Sequence, residues 1–160
     1  MTPVAIALSE TTPEDLETLF RFQLDPDANY LAAFTSLDSA NRAAYLAKYG
    51  ALLTDPTVTM RTVRVGEEIA GSIAKFMVGH KAEVTYWLDR KWWGQGVATR
   101  VLRRFLEQEP TRPLYGRVAG DNYGSQKVLV NGGFVKIGTD KGFANARQTE
   151  IEEFIYELTR

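Results

Sequence analysis

Between Tyr86 and Thr99 the chain reads YWLDRKWWGQGVAT, and this stretch restricts the fold more than any other. An apolar run from Val84 to Leu88 gives way to Asp89-Arg90-Lys91, then two tryptophans, then Gly94-Gln95-Gly96. No Gly or Pro follows until Pro110. Val97, Ala98, Val101, Leu102, Phe105 and Leu106 recur at helical spacing, with Arg100, Arg103, Arg104 and Glu107 between them. The pattern is strand, glycine loop, helix start. Backbone N–H groups in the first turn of such a helix lack internal partners and carry partial positive charge. Glycines at 94 and 96 let an anion reach them without a Cβ in the way. The stretch predicts a phosphate or pyrophosphate site at Gly94 to Thr99, the alternative being a strand-to-helix turn that merely needs glycine.

A second stretch follows an expected strand at Leu114 to Ala119. It contains Asp121-Asn122-Tyr123-Gly124-Ser125, Val128-Leu129 and Gly132-Gly133-Phe134. Taken in order, the two stretches resemble the GNAT superfamily of N-acetyltransferases. Lys91-Trp92-Trp93-Gly94-Gln95-Gly96 is similar to that family's acetyl-CoA loop, and the Asn122, Ser125, Val128-Leu129, Gly133-Phe134 series to its second motif helix. The pattern is most similar to the branch typified by the RimJ/RimL ribosomal-protein N-acetyltransferases. The likeness covers roughly residues 57 to 140; outside them only the order of elements agrees.

Composition narrows the alternatives. A chain of 160 residues is expected to form a single domain spanning 1–160, with a proper core. Its 44% apolar and 24% charged residues are ordinary for a folded protein. A net charge of -1 leaves no electrostatic footprint for nucleic acid or an anionic membrane. With no cysteine and one histidine, His80, neither a thiolate nor a conventional zinc site is expected. No signal peptide or long apolar run is evident, so the expectation is a soluble cytoplasmic protein, monomer or homodimer.

Along the chain, Val4 to Leu8 predicts a first strand. Thr12, Pro13 and Asp15 read as an approximate capping box, with Leu16, Leu19, Phe20 and Gln23 on one helix face. Asp25-Pro26-Asp27 ends that helix. Further helices are expected over Asn29 to Phe34 and Ser39 to Leu53. Thr57 to Val65 reads as a strand with a bulge between Met60 and Val63. Gly66-Glu67-Glu68 turns into Ile69 to Val78, and Gly79-His80-Lys81 into Ala82 to Leu88. After the helix to Glu109 come strand Leu114 to Ala119, helix Asn122 to Asn131, strand Phe134 to Thr139, a loop through Phe143 to Arg147, and a strand near Thr149 to Glu157. The class is α/β (α+β): a mixed, mostly antiparallel sheet of about six or seven strands flanked by helices. It follows the GNAT order of elements. The resemblance further implies that Ala82 to Leu88 and Leu114 to Ala119 splay apart to admit the pantetheine arm.

The resemblance also implies acetyl-CoA as cosubstrate, an amine as acceptor, and no metal. Backbone groups at Tyr86, Trp87 and Leu88 would hold the pantetheine, and Asn122 would donate to it. Lys91, Trp93, Gly94, Gln95, Gly96, Val97, Ala98 and Thr99 would surround the pyrophosphate. Lys91 stands where the family prefers Arg or Gln; it keeps a charge but loses the bidentate fork. Alternation puts Glu83, Thr85 and Trp87 on one face of their strand and Val84, Tyr86 and Leu88 on the other. A carboxylate on a central strand is costly unless partnered or functional, which makes Glu83 the candidate base, the alternative being a solvated charge beside the turn. His80 titrates near neutral pH, but its turn position suits plain exposure. Many GNAT enzymes carry an acid tyrosine on the helix after Asn122, and here Leu129 stands at that place. Ser125, where the RimJ/RimL branch carries serine, takes the general-acid or thiol-contact role, the alternative being a helix-capping serine. The acceptor is expected between the early helices and the sheet, near the Phe143 to Arg147 loop. Phe20, Phe22, Tyr30, Phe34, Tyr45 and Tyr49 make that half aromatic, and Asp25 and Asp27 could attract an amine.

Two other functions fit parts of the pattern. A non-catalytic acyl-CoA-binding or partner-binding domain would keep the glycine loop and lose acid and base. A dinucleotide-binding domain would use Gly94-Gln95-Gly96 and Asp121, but Thr99 replaces the third glycine and too little chain follows for a doubly wound sheet.

Overall fold

The computed structural model describes residues 4–160. Among the described residues the elements run β1 (Ile6–Glu10), α1 (Asp15–Phe22), α2 (Pro26–Ala32), α3 (Arg42–Leu53), β2 (Thr59–Val65), β3 (Glu68–Val78), β4 (Lys81–Leu88), α4 (Val97–Gln108), β5 (Leu114–Ala119), α5 (Tyr123–Asn131), β6 (Val135–Ala144) and β7 (Thr149–Leu158). The strands form one sheet in the order β1-β2-β3-β4-β5-β7-β6. All neighbours are antiparallel except β4 and β5. This is the expected α/β class and the expected mixed sheet.

Two apolar layers sandwich the sheet. On one face α4 buries Val97, Val101, Leu102 and Phe105, none more than 1% exposed, against Ile73, Val84, Leu114 and Val118. Full burial of each such side chain is worth about 1.5–3 kcal/mol, so the apolar stripe of α4 holds the glycine loop in place. On the other face Leu16, Leu19 and Phe20 of α1 and Tyr45 of α3 pack on Met60 and Ala74.

Several boundaries differ from those expected, each for a local reason. β1 is shifted to Ile6–Glu10 by its register with β2, from Ile6 opposite Val65 to Glu10 opposite Arg61. The Thr12–Asp15 box forms reciprocally: the Thr12 N–H donates to Asp15 Oδ2 at 3.1 Å and the Asp15 N–H to Thr12 Oγ1 at 3.4 Å. Asp25 starts a helix rather than only ending one. Its Oδ1 accepts the Asp27 and Ala28 N–H groups, so α2 begins at Pro26, not Asn29. Asn41 caps α3 in the same way, so that helix begins at Arg42, three residues inside the expected start.

The bulge lies in β3, not between Met60 and Val63. Val63 pairs with Gly71 and Arg64 with Ile69, which leaves Ala70 as the extra residue. There β3 presses against β4 so closely that a Cβ on Gly71 would lie 2.1 Å from the Trp87 carbonyl oxygen. β6 runs five residues past Thr139, to Ala144, because β7 pairs with it throughout. The expected loop at Phe143 to Arg147 shrinks to a hairpin turn after Ala144.

Candidate functional site

β4 and β5 are parallel neighbours, yet they pair only at Ala82–Leu114 and Glu83–Tyr115. β4 runs on to Leu88 and β5 to Ala119, so the strands part from Val84 and Gly116 onward. Backbone polar groups facing such a gap require partners, and a ligand carrying amides can supply them.

Two clefts open on this gap. The larger, about 730 Å³, is walled by α2 (Ala28, Leu31), by Leu88, Trp92 and Trp93, by Gly94 and Gly96 to Thr99, and by Asp121 to Ser125 with Val128. The other, about 540 Å³, lies between the early helices and the sheet; Phe34, Tyr45, Tyr49, Met60, Phe76, Glu83, Thr85 and Arg117 line it. Ala32, Tyr86, Trp87, Asn122 and Ser125 line both. The clefts therefore meet where β4 leaves β5 and α5 begins.

In the larger cleft Gly94 and Gly96 hold φ of 72° and 73°, a left-handed conformation that favours glycine. A Cβ at either position would meet nothing within 4 Å, so the space above them is open. No side chain caps α4. Its first internal bond runs from the Arg100 N–H to the Gly96 carbonyl, leaving the Val97, Ala98 and Thr99 N–H groups at the cleft. These donors, the helix dipole and the open cradle fit a pyrophosphate, and the unpaired edge of β4 fits a pantetheine. The Trp93 indole donates to the Leu88 carbonyl at 3.1 Å and braces the loop.

Two residues expected at the anion point elsewhere. Lys91 Nζ sits 2.8 and 2.9 Å from the Glu68 carboxylate oxygens, and Gln95 Nε2 donates to the Lys91 carbonyl. Neither side chain lines the cleft. Asn122 is the N-cap of α5: its Oδ1 accepts the Ser125 N–H, while its Nδ2 donates to the Leu31 carbonyl on α2, both at 3.3 Å. The amide group expected to meet a pantetheine thus also ties the cleft's two walls together.

Ser125 does not cap the helix through its side chain. Its Oγ lies 2.6 Å from the Tyr86 hydroxyl, which burial pushes up to about 12, partly offset by the Ser125 bond itself. This phenol escaped the sequence reading, which used only the backbone at Tyr86. Alternation already put Tyr86 on the Val84 and Leu88 face, and that face meets α5. Leu129, at the place of the missing tyrosine, is 2% exposed and packs under Gly116, where a Cβ would lie 2.9 Å from Leu129 Cδ2.

In the smaller cleft Glu83 is half-buried. Desolvation raises its pKa above the ordinary glutamate value, opposed by the Arg117 charge and reinforced by Glu153. Arg117 turns its guanidinium to Glu153 and Asp140, with Nη2–O distances of 2.7 Å to each. His80 is exposed on its turn. Of the aromatics, Phe34, Tyr45 and Tyr49 line the cleft, Phe20 and Phe22 belong to the α1–α3 core, and Tyr30 is 55% exposed. Asp25 and Asp27 are both engaged by Arg90 and do not face the cleft.

The β6–β7 turn does not line the cleft either. It braces the segment that does. The Asn145 amide donates to the Thr35 carbonyl at 2.8 Å and the Ala146 N–H to the Ala33 carbonyl at 3.1 Å. Arg147 donates to the Tyr30 carbonyl and forks onto Asp121. Among the described residues no group of three or more His, Asp or Glu side chains could hold a metal ion, and no helix is long and apolar enough to cross a membrane.

A family model described as an acetyltransferase (GNAT) domain matches residues 6–135. No curated protein matches significantly. Among solved structures, RimJ of Mycobacterium smegmatis in complex with CoA-disulfide superposes with a TM-score of 0.79 at 18% identity, over 96% of this chain and 81% of that one. The microcin C7 self-immunity acetyltransferase MccE, in complex with acetyl-CoA and AMP, gives 0.79 at 16% identity, over 97% and 92%. A chimera of the spermidine N-acetyltransferase SpeG from Vibrio cholerae with hSSAT gives 0.76 at 18%, over 94% and 93%.

Proposed function

The chain belongs to the GNAT acetyltransferase family, and from that premise we propose that it is an N-acetyltransferase moving an acetyl group from acetyl-CoA to a primary amine. The observation that carries this reading is the meeting of the two clefts at Tyr86, Trp87, Asn122 and Ser125. One cleft carries the anion cradle, the other a half-buried carboxylate, and a hydroxyl pair stands between them. Structural neighbours of the RimJ and RimL kind and the serine at 125 support the RimJ/RimL-like branch.

Acetyl-CoA supplies an activated thioester. The N–H groups of Val97 to Thr99 would hold its pyrophosphate and the β4 edge from Tyr86 to Leu88 its pantetheine. Trp92, Trp93 and Leu31 give that side an apolar wall. Glu83 would take a proton from the bound ammonium, through water, so that the neutral amine can attack. An α-amine, with pKa about 8, is roughly a tenth neutral at pH 7; a lysine side chain, near 10.4, costs about 3 kcal/mol more to neutralise. A partly buried carboxylate suits the easier proton, so the α-amine of a peptide or a small molecule is the preferred acceptor class. Ser125 lines both clefts and would donate to the leaving sulfur.

The test is an acceptor screen read by free thiol. It contains peptides with N-terminal Ser or Ala, spermidine, and a lysine side-chain peptide. Turnover with at least one amine is expected, fastest with an α-amine. Tight acetyl-CoA binding with no turnover on any of them would mark a non-catalytic acyl-CoA-binding domain instead.

A further inference from the structure

The Tyr86 hydroxyl lies 2.6 Å from Ser125 Oγ and 3.3 Å from the Ser125 carbonyl oxygen. It has one proton to donate. A phenol, with pKa near 10, is far more acidic than an alkyl hydroxyl, which makes tyrosine the stronger donor of the pair. A neighbour that donates to Ser125 Oγ occupies one of its lone pairs and leaves its O–H free to turn. The Asn122 cap fixes the first turn of α5, and both residues line both clefts where these join.

We propose that Tyr86 is a positioning residue, whose hydroxyl donates to Ser125 Oγ and so aims the serine's own O–H at the leaving sulfur. The inference rests on the acetyltransfer reading above. In the step it serves, the amine nitrogen bonds to the acetyl carbon, the carbon–sulfur bond breaks, and sulfur keeps the electron pair. The amine's proton goes to Glu83 through water. The thiolate takes a hydrogen bond from Ser125 and then a proton from solvent. Tyr86 keeps its own proton: burial pushes it up to about 12, well above a thiol near 8.5, so handing the proton over is uphill. The pair is a fixed donor aimed at developing charge, not a proton relay.

A double-mutant cycle tests this, with acceptors being an N-terminal Ser peptide, an N-terminal Ala peptide, spermidine, and water (slow acetyl-CoA hydrolysis, read as thiol release). Tyr86→Phe should lower kcat about tenfold and leave the KM and calorimetric Kd for acetyl-CoA within twofold. Ser125→Ala should cost ten- to a hundredfold. On the Ser125→Ala background, Tyr86→Phe should change kcat less than twofold, because the group it aims is gone. An equal effect of Tyr86→Phe with and without Ser125, or an unchanged kcat in Tyr86→Phe, overturns the inference. A second readout needs no turnover. With ring-labelled tyrosine, the infrared band lost in Tyr86→Phe should have the frequency of a donating phenol and move when Ser125 becomes Ala. A band typical of an accepting phenol overturns the assignment. A wild-type protein that releases no thiol with any of the four acceptors removes the acetyltransfer reading, and this inference with it, whatever the infrared band shows.

Discussion

Arg147 forks onto Asp121, with Nη1 and Nη2 each donating to one carboxylate oxygen at 2.7 and 2.8 Å. The arginine side chain is 6% exposed, and its guanidinium lies 3.9 Å from the centroid of the Tyr30 ring. One residue of the β6–β7 turn thereby joins α2 to the β5–α5 loop, the two walls of the larger cleft. Asn122, next to Asp121, makes the same span through the Leu31 carbonyl.

Loss of that fork should loosen both the fold and the cleft. Arg147→Met should cost about 1–2 kcal/mol, the low end for charge-assisted bonds because Asp121 is half exposed. Acetyl-CoA affinity should fall severalfold. The stability difference should also depend on pH in one direction. Arg147 holds Asp121 below the ordinary aspartate value, so the contribution is complete above about pH 4 and fades as pH falls through the lowered value. Urea unfolding of wild type and variant at pH 7 and at pH 3 measures both. A gap that stays constant down to pH 3 would detach it from Asp121.

Glu83 and Arg117 should be linked in the pH–rate profile. A base must be deprotonated to work, so burial of Glu83 moves the acid limb of kcat/KM above the usual glutamate range. Arg117→Met removes a charge that pulls the Glu83 pKa down, so the acid limb should move to still higher pH. Glu83→Gln should lower the rate mainly below about pH 8, by roughly a hundredfold, the low end for general-base catalysis. Identical acid limbs in wild type and Arg117→Met would separate Glu83 from the chemistry.

Gly116 is small because Leu129 occupies the space where its Cβ would be. Gly116→Ala should cost about 1–3 kcal/mol by overpacking, read as a lower Tm. Leu129→Ala, which opens a cavity in the core, should cost less in the Gly116→Ala background than in wild type. A Gly116→Ala protein as stable as wild type would show that Leu129 repacks freely.

What was legible in the sequence was local. The alternation of β4, the left-handed glycines and the apolar stripe of α4 act within a few residues, so Tyr86 to Thr99 could be read directly as strand end, glycine loop and helix start. Thr12 and Asp15 announced their box for the same reason. What was not legible joins distant parts. Tyr86 meets Ser125 across 39 positions, and Arg147 meets the Tyr30 carbonyl across 117. The bulge at Ala70 depends on pairing with β2, which no pattern within β3 specifies. Asp25 and Asp27 offered free acids on paper, and only the approach of Arg90 shows them engaged. Lys91 likewise offered its charge to the anion, while Glu68 on the neighbouring strand holds it.

The claim everything else depends on is that the cleft over Gly94 and Gly96 is an acetyl-CoA site. Calorimetric titration of wild type and Gly96→Ala with acetyl-CoA, and of wild type with NAD, tests it most directly. Alanine at the left-handed Gly96 costs about 1–2 kcal/mol of strain and puts a methyl group into the cradle. The account predicts saturable acetyl-CoA binding by wild type, at least tenfold weaker binding by a folded Gly96→Ala, and no heat with NAD. Equal acetyl-CoA affinity in the two proteins, or tighter binding of NAD than of acetyl-CoA, would contradict it.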